Sequence, residues 1–434
     1  MGGVLCIDFG TSAIRAVRRS PRGKLEALAI GNVTKSRLDD ASIRSEVHID
    51  EDRRYVRYGE RAFVARKDSR TPALYEASPK LWLKEPGRLR DEAAPGLGVT
   101  REQLLAGLLA YALRAAAEAD EIGESTLKSV DIRIAHPVWP AQVKTAADAS
   151  LDRLCAQARQ MAFQREWGTV TVTSLLEHVQ ASAKPRCRAV DVIEPLAAAV
   201  DLLEGAENED RICAVIDVGA GTTDIGLFRS LVPDGMSQVH RKLYPLGPQV
   251  SLFKAGNALD AIVLELLEAR AKRRDAVALA DVSARIRGIK ETLLKTGLVQ
   301  ELGCDLRVED LQSHENAKSI ATEIRAELLR LVQANERAIK GMLDRPHHSL
   351  RRLDVVMAGG GGGIGFLQQA IRERIQVAGK FLEVELATPR ERAGIKLHGA
   401  ARGRMAVALG GASVEYDALV HEQPPVTTIR RGSL

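Results

Sequence analysis

The sequence predicts an α/β chain built from two similar halves. Two observations carry that prediction. A short apolar run ending in Asp and Gly opens each half, and strand-like runs alternate with helix-like ones along the rest of the chain. Composition agrees: 45% apolar and 27% charged residues is a globular balance, which excludes disordered and fibrous chains. The 434 residues suffice for about three units of roughly 150 residues and for a substantial core. A net charge of +5, from 62 basic and 57 acidic residues, is too small to select nucleic acid or a membrane surface as partner.

The first element is the run Val4-Leu5-Cys6-Ile7, followed by Asp8-Phe9-Gly10-Thr11-Ser12. Apolar residues resume at Ile14, Ala16 and Val17, so the pattern is strand, Asp-Gly turn, strand. The same pattern returns as Cys213-Ala214-Val215-Ile216, then Asp217 to Asp224, then Ile225, Leu227 and Phe228. Asp8 and Asp217 lie 209 residues apart, close to half the chain, which is the repeat expected of two lobes facing across a cleft. Between these hairpins, Val130 to Ala135 reads as a strand ending at His136-Pro137, and Gln142 to Arg159 as a helix. In the second half Ile320, Ile324, Leu328, Leu331, Ala338 and Met342 keep helical spacing and predict one long amphipathic helix. A strand at Leu353 to Ala358 runs into five glycines, Gly359 to Gly363, and a helix carrying Ile364, Leu367, Ile371 and Ile375 is expected after them. Strands alternating with helices imply sheets covered by helices.

Several classes drop out. The most apolar stretch, Leu104 to Leu113, is shorter than the ~20 residues of a membrane span. The start, Met1-Gly2-Gly3-Val4, has no basic leader region. Five scattered cysteines (Cys6, Cys155, Cys187, Cys213, Cys304) with no Cys-x-x-Cys spacing argue against a disulfide framework or zinc site and for a reducing, cytoplasmic setting. The His347-His348 pair reads as a solvated loop rather than a metal site.

Glycines in a tight hairpin let backbone N–H groups approach a polyanion, and Thr or Ser adds a hydroxyl donor. An Asp at the strand end tolerates phosphate only with a divalent cation or its bound water between them. Two such hairpins could clamp the phosphates of one nucleotide, with Mg²⁺ between the acids; positioning and charge stabilisation are most of what phosphoryl transfer needs. One Asp-Gly turn alone means little, since that pair is common in turns. Two, at matching places in two halves, mean more.

At this point the sequence resembles a known family. Asp8-Phe9-Gly10-Thr11-Ser12 is similar to the first phosphate motif of the actin-like ATPases, Asp217 to Gly226 to the second, and Val355 to Ile364 to the adenosine motif. The resemblance is nearest to the nucleotide-binding domain of DnaK-type heat-shock chaperones. Tyr58-Gly59-Glu60-Arg61-Ala62, Ile134-Ala135-His136-Pro137-Val138 and Glu194-Pro195-Leu196-Ala197-Ala198-Ala199 support it in the right order, over roughly residues 3 to 408. It implies a two-lobed actin-like ATPase with duplicated ribonuclease-H-like sheet cores and subdomain insertions. Lobe I would span 1–195, with core 1–36 and 125–195, insertion 37–124, and a C-terminal helix 389–410 returning to it. Lobe II would span 196–388, with core 196–232 and 350–388 and insertion 233–349. Residues 411–434 would form a polar, disordered tail.

The resemblance also implies roles. Asp8 and Asp217 would hold Mg²⁺ through water, helped by Glu194. Gly10, Thr11, Ser12, Gly219, Ala220, Gly221 and Thr222 would contact the phosphates of ATP or ADP, while Thr222 and Asp224 would place the attacking water or a K⁺ ion. Lys80, rather than Lys84, would be the phosphate-facing lysine of the first insertion. Lys290 would neighbour the ribose or base, with Gly256, Gly359, Gly360 and Gly361 completing the nucleotide set.

Departures are as informative. Gly361-Gly362-Gly363 replaces the family's Ser-Thr-Arg, so no Arg from this loop stacks on adenine; Arg287 and Glu291 reverse the usual charge order; Ala13 and Leu196 replace an aromatic and a Thr. The segment from Pro137 to Glu194 is longer than in typical members, and the peptide-binding domain has no counterpart. The expected function is therefore a slow, Mg-dependent ATPase module whose lobe closure regulates an unidentified protein partner. An actin-like filament former and a small-molecule kinase are the alternatives. A separate pattern, Gly360-Gly361-Gly362-Gly363-Ile364-Gly365 with Glu385 beyond, fits a dinucleotide fingerprint but leaves both hairpins unexplained.

Overall fold

The computed structural model describes residues 3–31, 41–68, 71–119, 130–139, 142–163, 169–181, 190–203, 211–231, 242–271, 276–344, 352–387, 395, 397, 399–413 and 416. The chain is mixed α/β, organised on two large sheets. In the first, Val4–Phe9 pairs antiparallel with Ala13–Arg19 and parallel with Asp131–His136, and Val190–Ile193 extends the parallel side. Leu25–Ala27 and Ile43–Arg44 both pair antiparallel with Ala13–Arg19. In the second, Arg211–Val218 pairs antiparallel with Thr223–Leu231 and parallel with Arg352–Ala358, and Lys380–Leu386 extends the parallel side. Lys242–Pro245 and Val250–Leu252 both pair antiparallel with Thr223–Leu231. Apart from Ile375–Val377, which adds an antiparallel edge strand to the second, the two sheets share strand order and pairing sense, so the internal repeat read from two Asp-Gly turns extends across the sheets.

Both hairpin strands are buried almost throughout, which is why their sequences run apolar without alternation. Each half then gives away its last helix. Glu194–Leu202 ends the first half yet packs on Arg211–Val218 and Thr223–Leu231; Gly399–Ala412 ends the second half yet packs on Val4–Phe9, Ala13–Arg19 and Asp131–His136. The two helices also pack on each other, forming a core of small residues (Ala197, Ala198, Ala406, Ala408) between the sheets. Side chains fasten the exchange: Arg133 Nη1 donates to the Gly411 carbonyl at 2.7 Å, the Tyr416 hydroxyl accepts from the Ile193 N–H at 2.9 Å, and buried Arg402 pairs with buried Asp201. Larger apolar cores lie outside this seam, one in each half.

Several expectations shift. The sheets take in Ile43–Arg44, Lys242–Pro245 and Val250–Leu252, which the sequence assigns to the insertions; these short strands pair because the return strand of each hairpin has a free edge there. The long amphipathic helix is two, Glu315–Ala334 and Glu336–Leu343, broken at Asn335, whose side chain bonds back to the Leu331 carbonyl at 2.8 Å. The helix after the glycines ends at Ile371, and Ile375 instead begins the strand Ile375–Val377. The returning helix is Gly399–Ala412, so residues 411 and 412 belong to it; positions 389–394 and most of the expected tail fall outside the described residues, as do His347, His348 and Cys187. The long segment before Glu194 contributes Thr169–Thr171, which pairs with Tyr55–Tyr58 in a separate four-stranded sheet that also holds Val47–Ile49 and Leu74–Glu76. No described helix is long and apolar enough to cross a membrane.

Candidate functional site

Asp8 and Asp217 occupy equivalent places, each next to last on a central strand and at the carboxyl end of its parallel pairing. That end is where open α/β sheets leave a crevice for ligands. The hairpin tips, residues 10–12 and 219–222, come into contact. A methyl group on Gly221 would lie 2.9 Å from Thr11 Oγ1 and 2.9 Å from Leu81 Cδ2, so only glycine fits between the hairpins.

The segment Pro79–Lys84 is a 3-10 turn started by proline, and it carries Lys80 inward. Lys80 is buried and pairs with Glu194 Oε1; Glu194 itself is the first residue of the helix Glu194–Leu202. Four carboxylates therefore share one buried region: Asp8, Glu194, Asp217 and Asp224. Burial pushes Asp8 up to about 6, opposed by Arg15 and reinforced by Glu194. Burial pushes Asp224 up to about 7, with Glu194 adding to it and hydrogen bonds from Ser251 and Thr222 opposing it. Asp217 is held well above the carboxylate range by burial, then by Glu194, Asp224 and Asp8. Such a cluster calls for additional positive charge. Among the described residues no three Asp, Glu, His or Cys side chains converge to hold a metal directly, so a cation would be carried through water or a ligand's own oxygens.

The second hairpin is braced from behind. Gly219 and Ala220 carbonyls accept the N–H groups of Gly256 (3.0 Å) and Asn257 (2.7 Å) at the start of the helix Gly256–Arg270. The Gly256 N–H is thereby committed to the hairpin. Lys290 Nζ pairs with Asp260 Oδ1 at 2.7 Å and donates to the Gly256 carbonyl at 3.0 Å, so it too braces this corner. The glycine loop packs under Asp217: Gly359 has φ +75°, and a side chain there would run into the Asp217 carboxylate. Gly361 N–H donates to the Val218 carbonyl at 2.9 Å, while Gly360 faces open space. Glu385, the acid of the dinucleotide pattern, is away from this loop, bound to Arg352 at 2.9 Å near the other end of the strand.

The halves also meet at the rim. Asn257 Nδ2 donates to Ser78 Oγ at 3.4 Å, and Lys84 Nζ lies 4.1 Å from the ring centre of the exposed Phe253. Arg287 Nη1 donates to the Ser12 carbonyl at 3.4 Å, linking the helix Ala276–Thr296 to the first hairpin.

Sequence reasoning missed Arg15, Ser251 and Asp260. Arg15 could have been found by counting outward from the turn: with the tip at residues 10–12, position 8 faces position 15, as position 217 faces 224. Ser251 and Asp260 reach the site through tertiary packing and leave no local signal. No protein-family model matches the chain, and no curated protein is detectably similar to it.

Proposed function

We propose that this chain is a Mg²⁺-dependent, nucleotide-binding ATPase module of two-lobed, actin-like architecture, nearest in kind to the DnaK-type domain, whose closure regulates a separate protein chain. One observation carries the reading. Two sheets with the same six-strand core arrangement bring equivalent Asp-Gly hairpins into contact, around a buried cluster of four carboxylates with Lys80 beside it. In this reading the Mg²⁺–nucleotide complex supplies the positive charge that the acids lack and the phosphoanhydride bond to be broken. Asp8, Asp217 and Glu194 orient the metal's water shell. Lys80 sits where a terminal phosphate would need charge compensation. Thr11, Ser12 and Thr222 offer hydroxyls to phosphate oxygens. Asp224, hydrogen-bonded to Ser251, is placed to orient a water.

Turnover by the chain alone should be slow, because closure of the two halves rather than chemistry is expected to limit it. One event per minute corresponds to a barrier of about 20 kcal/mol. A partner that favours the closed form by ~1.4 kcal/mol would raise a closure-limited rate about tenfold.

The test begins with thermal melting in millimolar Mg²⁺-ATP or Mg²⁺-ADP, with and without EDTA. A ligand that binds the folded state raises the melting temperature. An unchanged melt rejects the nucleotide reading. Phosphate release above roughly one per second by the chain alone would reject the regulated-switch reading.

A further inference from the structure

A cavity of about 560 Å³ lies where the helices Glu315–Ala334 and Glu336–Leu343 meet the second sheet. The strand Thr223–Leu231 leaves its hairpin tip at Thr223 and delivers Arg229 to the cavity about 20 Å farther along, so this space is separate from the hairpin tips. Side chains alternate across a strand, and Ile225 and Leu227, on the Arg229 side, belong to the core. Arg229 stands where that face leaves the core, half-buried. The opposite wall is helical. Ala334, Ala338 and Gly341 line it with small groups, which is why the helices leave the space unfilled. Leu246 and the buried Met342 add apolar surface. The break between the helices is fixed: Asn335 Nδ2 donates to the Leu331 carbonyl, and a methyl group on Gly247 would lie 2.7 Å from the same nitrogen. The cavity is therefore preformed, and its size is that of a small-molecule site.

Charge is its distinguishing property. Arg337, on the helical wall, is the second guanidinium of the lining. Two neighbouring cations are matched to acids one turn away, Arg330 to Glu327 and Lys340 to Asp344. The positions one turn from Arg337 are Gln333, Ala334, Lys340 and Gly341, so no acid answers it along the helix. Among the described residues Arg337 makes no hydrogen bond or ion pair, and no Asp or Glu lines the cavity. Two like charges on an apolar wall attract an anion that also has apolar surface to bury. We propose that this cavity is a second ligand site, for a small organic anion: an apolar body seated against Leu246 and Met342, with a carboxylate, phosphate or sulfonate group held by Arg229 and Arg337. The proposal stands apart from the nucleotide reading, because none of these residues belongs to the hairpin tips or the carboxylate cluster.

The probe is anilinonaphthalene sulfonate, an aromatic body with one anionic group, titrated into the full chain and followed by fluorescence. Its neutral counterpart, phenylnaphthylamine, has the same rings without the sulfonate. The parent should bind the sulfonate saturably, and Arg337→Ala should weaken that binding about tenfold, as a lost charge-assisted contact would. Ala338→Phe, at an exposed position open to a larger side chain, should fill the space and weaken both dyes. Because both sites are exposed, the two variants should melt near the parent temperature. Arg372→Glu, an exposed charge change outside the cavity, should alter nothing, and neither should millimolar Mg²⁺-ADP. Sulfonate binding that stays within threefold of the parent in Arg337→Ala would overturn the proposal. So would binding without saturation, equal affinity for the neutral dye, or an equal loss in Arg372→Glu, which would mark attraction to overall charge. Displacement by Mg²⁺-ADP would place the dye at the hairpins instead, overturning this site while favouring the nucleotide reading.

Discussion

The two hairpins are the same object with different chemistry. Both carry Asp next to last on a buried central strand, both turn through glycine, and both return along a strand whose outer edge takes two short strands. Across from Asp8 stands Arg15; across from Asp217 stands Asp224. The first half thus sets an acid against a base and brings in Lys80 as well. The second sets acid against acid and answers the repulsion with hydroxyls and tightly packed backbone. A repeated scaffold fixes where functional groups stand, and one side-chain choice at a matched position decides what each hairpin does. Arg15 and Lys80 stand in the first half, and the facing acids Asp217 and Asp224 in the second.

The largest effect that can break this contrast is expected at Gly359. Its φ of +75° and its position under the Asp217 carboxylate leave no room for a side chain, whereas the matching position of the first half, one residue beyond the strand partner of Asp8, is His136. Gly359→Ala should destabilise the chain by roughly 2–4 kcal/mol, combining backbone strain with a clash. Gly360→Ala, facing open space, should be nearly neutral. Urea unfolding measures both, and equal midpoints would show that the corner under Asp217 is looser than described.

A smaller effect of opposite sign sharpens the comparison. Without ligand, neutralising either Asp should stabilise the fold, because burial and neighbouring acids disfavour both charges. Asp217→Asn should gain more than Asp8→Asn, since Arg15 offsets more of the penalty at Asp8, its cross-strand neighbour, while Asp217 also faces Asp224; a difference on the order of 1 kcal/mol is expected. Both variants should lose the thermal shift given by Mg²⁺-nucleotide. An Asp8→Asn gain equal to or above that of Asp217→Asn would remove Arg15 from the electrostatic account.

The remaining effect is in the pH dependence. Asp224 in the folded chain is raised to about 7. A carboxyl raised on folding holds its proton better in the native state, so its contribution is complete below the unfolded value near 4 and is lost as pH rises through about 7. Asp224→Asn should therefore flatten the decline in ligand-free stability between pH 4 and about 7, relative to the parent. Parallel curves for the two proteins would mean that Asp224 titrates near its ordinary value.

What the sequence made legible was local. An apolar run, an Asp and a glycine turn are written consecutively, so both hairpins and their repetition are readable from the order of residues alone. The Glu194-Pro195 helix start is readable for the same reason. Arg15 needs one further step, the cross-strand register, because it stands on the return strand behind the turn rather than in the turn itself. Lys290 shows the converse: a helical position is legible, but its pairing with Asp260 depends on how two helices meet. The break at Asn335 was hidden because Ala338 and Met342 continue the apolar spacing across it. Thr169–Thr171 could not be assigned, because its partner Tyr55–Tyr58 is more than a hundred residues away.

The rim contacts set a kinetic property. Lys84 over Phe253 and Asn257 with Ser78 are, among the described residues, the side-chain contacts that join the segment 78–84 to the outer edge of the second half. An exposed cation–aromatic contact contributes about 0.5–1 kcal/mol, and a long neutral hydrogen bond less. Breaking both costs only about 1–1.5 kcal/mol, so this edge of the rim parts easily. Departure of a spent ligand would then be slowed little by the rim itself, and its dwell time would be governed by the grip of the charges deeper inside.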